Sequence, residues 1–118
     1  MDVFDSREAL LEQLATVPGA RVYSDPGANV SPPGILVSVP TLQWDAAFVE
    51  PTIASFQVIY AVNFDDRAAT NLMKSVALIS DAIDDPTFTI DSASPGTWES
   101  GGVSMPSYNF VVSAALSY

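Results

Sequence analysis

The chain has 118 residues and a formal net charge of −10, from 14 acidic residues set against Arg7, Arg21, Arg67 and Lys74, with no cysteine and no histidine. That composition excludes disulfides, thiolate chemistry and cysteine-held metal, and removes the commonest general base and transition-metal ligand. It also argues against a nucleic-acid binder, which would need clustered Lys and Arg to neutralise phosphates.

The length suits one domain, residues 1–118, with a real hydrophobic core. At 48% hydrophobic and 15% charged the chain is too apolar to be disordered. No run approaches the ~20 apolar residues of a membrane span. The acidic start Met1-Asp2-Val3-Phe4-Asp5 lacks a basic stretch followed by an apolar one, so no secretory signal is expected.

In chain order, Asp5-Ser6-Arg7-Glu8 fits a capping box, with Phe4 placed for a hydrophobic staple to Ala9. Leu10, Leu14 and Val17 recur at helical spacing before Pro18-Gly19, which predicts a helix over about residues 6–17. Arg21-Val22-Tyr23 is a short strand, and Ser24 to Gly34 reads as a proline-stiffened loop. Ile35 to Trp44 is β-branched and aromatic, but Pro40 cannot donate to a ladder, so this strand lies on an edge or is broken.

From Thr52 to Phe64 the pattern alternates, with Ala54, Phe56, Val58, Tyr60, Val62 and Phe64 on one face of a long strand. Asp65 or Asp66 then caps a second helix whose stripe is Ala69, Leu72, Met73, Val76, Ile79 and Ile83, ending at Asp84-Asp85-Pro86. A strand begins at Phe88-Thr89-Ile90-Asp91, the turn-rich segment Ser92 to Pro106 reads as a long hairpin loop, and a final strand alternates from Ser107 to Tyr118. The order α-β-β-β-α-β-β predicts an α+β domain: a mixed, largely antiparallel sheet with both helices on one face.

Candidate chemistry is sparse. Asp81, Asp84 and Asp85 gather at the second helix's C-terminal end, where the helix dipole disfavours anions. Their i, i+3, i+4 spacing costs a few tenths of a kcal/mol per like pair, and service to the turn before Pro86 is the plain reading. The spacing does not match a calcium loop. Serines lack an activating base, and the glycines lack the strand–turn–helix setting of a phosphate cradle. We therefore expect no catalytic residue, cofactor or metal.

The informative pattern is an absence. No charged residue occurs from Pro26 to Trp44, from Pro51 to Phe64 or from Ser100 to Tyr118. An exposed sheet normally carries Lys or Glu for solubility and to guard its edges. Two helices cover one face only, so the other, with Ile53, Ser55, Gln57 and Ile59 on one strand and Asn109, Val111 and Ser113 on another, is expected to lie in a subunit interface.

Taken together, DSREALLEQLATVPGARVY, the loop SDPGANVSPPG, the strand FQVIYAVNF running into DDRAATNLMKSVALISDAIDD, and the hairpin from FTIDSAS through GTWESGGVSMPSYNFVVSAAL resemble the tail terminator proteins of long-tailed, siphovirus-type bacteriophages of actinobacterial hosts. The likeness spans nearly the whole chain in order, length and loop placement. It implies a structural virion protein made in the host cytoplasm: a homo-oligomeric ring, usually a hexamer, at the neck, which ends tail-tube polymerisation and achieves head–tail joining. The implied partners are other copies of itself, the tail tube protein and a head-closure or connector protein. DNA would pass through without specific binding, and no membrane is involved. On that reading Asp81, Asp84 and Asp85 line an acidic lumen, and Trp98, Glu99 and Met105 in the hairpin contact the tube or connector. The alternatives are another neck or tube protein, or a small acidic cytosolic enzyme or ligand-binding domain whose carboxylates converge in a pocket.

Overall fold

A computed structural model describes residues 1–25, 27 and 29–118; Pro26 and Ala28, within the predicted Ser24–Gly34 loop, lie outside the described residues. Two helices, α1 (Val3–Leu14) and α2 (Ala68–Ala82), accompany six strands: β1 (Arg21–Tyr23), β2 (Gly34–Val37), β3 (Thr41–Gln43), β4 (Ile53–Ala61), β5 (Phe88–Ser100) and β6 (Val103–Ala115). They form one sheet in the order β1-β2-β4-β6-β5, with β3 also paired to β4. Among the described residues, only the β1–β2 pair is parallel. This is the expected α+β class, with the helices on one face.

The first helix begins and ends about one turn before its predicted bounds. Asp2, not Asp5, is the cap: its Oδ1 accepts from Asp5 N at 2.8 Å, while Phe4 points into solvent and makes no staple. Asp2 offers the same short carboxylate one turn earlier. That start lets Leu10 and Leu14 face the sheet and buries Ser6, whose hydroxyl returns to Val3 O at 2.9 Å.

Pro40 does break its strand, leaving β2 and β3 as two pieces against β4. At the break Gln57 N donates to the Ser38 hydroxyl at 2.8 Å, and Ser38 N donates to Gln57 O at 2.9 Å, so the ladder stays satisfied. Arg7 reaches from α1 to donate to the carbonyls of Ser24, Val37 and Ser38, which ties helix, loop and sheet together.

The second helix is rotated from its predicted stripe. Ser75, Ile79 and, just past the end, Ile83 are buried, with Ala68, Leu72, Leu78 and Ala82 packed at the core margin, whereas Met73 is 64% exposed. Ser75 is fully buried and satisfies its own hydroxyl by donating to Leu72 O. A buried serine is not visible in a count of apolar positions.

The largest difference lies in the hairpin. The segment Ser92 to Pro106, expected as a loop, is strand on both sides of a two-residue Gly101-Gly102 turn, with ladder partners from Ser92↔Val111 to Ser100↔Val103. Positive φ at both glycines, 57° and 80°, matches the type I′ turn that suits the twist of paired strands. Pro95 is tolerated because β5 is an edge strand, and a register shift between Ile90 and Ser92 sets Asp91 into a bulge. Outward of Ser107, β6 has no β4 partner, so the hairpin projects by roughly 13 Å at about 3.3 Å per residue. The radius of gyration is accordingly 14.5 Å, against about 13.5 Å for a compact chain of this length.

The main core lies between helices and sheet and includes Leu10, Leu14, Ile35, Phe56, Val58, Ile79, Phe110 and Val112. A second, smaller cluster occupies the opposite face: Val30, Leu36, Ile59, Ala61 and Met105, flanked by Tyr23 and Trp98.

Candidate functional site

The register assigns the faces. Opposite the helices lie Thr41 and Gln43 of β3, Ile53, Ser55 and Gln57 of β4, Asn109, Val111, Ser113 and Ala115 of β6, and Thr89, Ser92 and Ser94 of β5. All are half-buried or exposed, and none is charged. The structure thus brings together the residues expected on the uncovered face, with one correction. Ile59 is 7% exposed because it packs in the second cluster with Leu36 and Val30, so it offers no surface to another molecule. The loop after β1 and the base of the hairpin cover that end of the face, which the sequence pattern assigned wholly to a partner.

The hairpin residues separate in the same way. Met105 is 4% exposed within the second cluster, Trp98 is half-buried beside it with its indole N–H unpartnered, and Glu99 stands in solvent, accepting from Ser104 Oγ at 3.3 Å. Of the residues expected to touch tube or connector, Met105 instead holds the hairpin to the sheet.

Asp81, Asp84 and Asp85 fall at the end of α2, on the helical side and away from the neutral face. Asp85 secures the turn that follows the helix. Its Oδ1 accepts from Thr87 N at 2.9 Å, and the Thr87 backbone and then side-chain hydrogen bonds hold its carboxyl below the ordinary value. Among the described residues, no three acidic side chains come together in a way that could hold a metal ion.

The surface clefts are open and nearly free of acid. The cleft beside the β3–β4 loop includes Glu50, the one between α1's end and α2 includes Asp81, and one beneath α2 joins Tyr60, Asn71 and Lys74; none of these has two carboxylates. Burial pushes the Tyr60 phenol above its usual value. Among the described residues, no helix is long and apolar enough to cross a membrane.

Comparison with protein-family models finds no match, and comparison with curated proteins finds none either.

What sequence reasoning missed is the second cluster. Its signal was present in Val30, Leu36 and Met105, apolar residues in segments read as loop or as core strand. The turn expected around Asp45 to Pro51 joins β3 to β4, but the sequence pattern did not show that Trp44, Phe48 and Val49 stand exposed there.

Proposed function

We propose that the protein is a ring-forming structural subunit of a long-tailed phage neck, a tail terminator, with no chemistry of its own. The observation that carries this reading is the uncharged sheet face spanning β3, β4 and β6 in a chain of net charge −10. Apart from Asp91 at the bulge and Glu99 near the hairpin tip, both in the edge strand β5, the protein places its acids on helices, turns and loops and keeps them off the β3, β4 and β6 part of that face. Like-charged copies repel wherever acids meet, so a surface free of them is where sister copies can approach. The projecting hairpin is a second support, because it offers an extended arm to a neighbour or to the tube.

Six copies would carry roughly sixty surplus negative charges, a field that disfavours phosphate contact in a channel through which DNA passes. Asp81, Asp84 and Asp85 are the candidates for its lining. Native mass spectrometry with negative-stain imaging tests the reading: a closed ring is expected, and a monomer or dimer with a deep cleft at every concentration would end it. Replacing the three acids with lysine should slow genome ejection or make it salt-sensitive, and ejection unchanged at every ionic strength would remove them from the lumen.

A further inference from the structure

Tyr60 lies on the helix-facing side of β4, packed in the main core with 6% of its surface exposed. It lines a cleft of about 250 Å³ between the end of β4 and α2. Among the described residues its hydroxyl has no hydrogen-bond partner, and burial alone raises the phenol's pKa, so the group stays protonated and able to donate. A phenylalanine would make the same packing contacts without drawing a hydroxyl out of water.

One strip of α2 forms the facing wall. Asn71, Lys74 and Leu78 recur at i, i+3 and i+7 and line the cleft together. Lys74 is the only lysine in a chain with 14 acidic residues. The residues three and four places from it, Thr70, Asn71, Ala77 and Leu78, are neutral, and no acidic side chain lines the cleft. The next acid along that strip, Asp81, is seven residues on, about 10 Å at 1.5 Å per residue. Asn63 adds a second amide, and Pro33 and Val62 complete the apolar part of the lining.

We propose that this cleft binds a small organic acid, its carboxylate held by the Lys74 ammonium, the Tyr60 hydroxyl and the Asn71 amide, and its apolar body set against Pro33, Val62 and Leu78. The donors select the ligand. One ammonium balances one negative charge, and the phenol and amides supply further donors to the carboxylate's remaining acceptor sites. The same ammonium repels a metal ion, and the net charge of −10 repels polyanions at range. The volume lies below the ~300 Å³ at which sites for drug-sized ligands begin, which limits the acid to a handful of carbons. The inference is independent of the ring reading, since it concerns a cleft within one copy.

Titration with butyrate followed by NMR tests it. Saturable shifts are expected at Tyr60, Asn71 and Lys74, and butyramide, similar in shape but uncharged, should produce none at equal concentration. Lys74→Met keeps the apolar stem and should weaken butyrate binding at least about tenfold, whereas Tyr60→Phe removes only the hydroxyl and should weaken it about threefold. Both variants should keep the parent's spectrum away from the cleft. Shifts that fail to saturate, butyramide binding as tightly as butyrate, or variants that bind like the parent would overturn the proposal. An assembled parent that Lys74→Met dissociates would overturn it too, because the carboxylate in the cleft would then be an acidic side chain of another copy.

Discussion

The two faces of the sheet come from the same alternating strands and meet different surroundings. On one, Phe56, Val58, Phe110 and Val112 are sealed beneath α1 and α2. On the other, Ser55, Gln57, Asn109 and Ser113 remain open along most of the sheet, and only the end near Ile59 and Ala61 is closed, by the chain's own loop and hairpin. Alternation therefore creates two candidate faces, and the available covering material decides which is core. The open face combines small neutral side chains with the absence of the Lys and Glu that ordinarily protect a solvated sheet.

The contrast can be broken from either side. The largest effect belongs to the sealed face: Phe56→Ala should cost about 3–5 kcal/mol, read from denaturant unfolding, because it opens a cavity under both helices. The second cluster should respond less. A Cβ at Gly34 would lie 2.6 Å from Val30 Cγ1 and 3.2 Å from Ser31 O, so Gly34→Ala should cost about 1–3 kcal/mol by overpacking. An unchanged midpoint would show that this cluster yields freely.

At the hairpin tip, Gly102 sits at φ 80°, and Gly102→Val should cost about 1–2 kcal/mol, with loss of hydrogen-exchange protection from Thr97 to Met105. On the open face, Gln57→Glu with Ser94→Glu should leave monomer stability within about 0.5 kcal/mol, yet lower the assembled mass at low salt, with partial recovery as salt screens the added charge. A mass unchanged at low salt would show that this face is not between copies.

The smallest effect concerns pH. Asp85 is held below its ordinary value of 3.8, so its contribution is present above that pH and fades as pH falls through the lowered value. Asp85→Asn keeps an oxygen for Thr87 N and should remove only that part of the acid-unfolding curve. An identical curve would show that the hydrogen bond persists in the unfolded chain.

The class of the fold was legible because its signals are local. Alternation over Ala54 to Val62 marked β4, Pro40 marked a break, and Pro18-Gly19 after α1 and the acids and Pro86 around α2 bounded the helices to within about a turn. The hairpin was not legible between Ser92 and Pro106, since serine, glycine and proline are common in turns and their pairing across Gly101-Gly102 depends on register set by β4 and β6. The candidate surface was half legible: lack of charge is a property of sequence, whereas the burial of Ile59 and Met105 needed the loop and hairpin to meet.

Composition and pattern by themselves determined an acidic, cysteine-free α+β chain with charge-free stretches from Pro26 to Trp44, Pro51 to Phe64 and Ser100 to Tyr118, because charge and periodicity are written residue by residue. The tertiary structure alone decided which part of the neutral face stays open and which side of α2 is buried. Each of those depends on segments distant in the chain coming into contact, and no local preference specifies such a meeting.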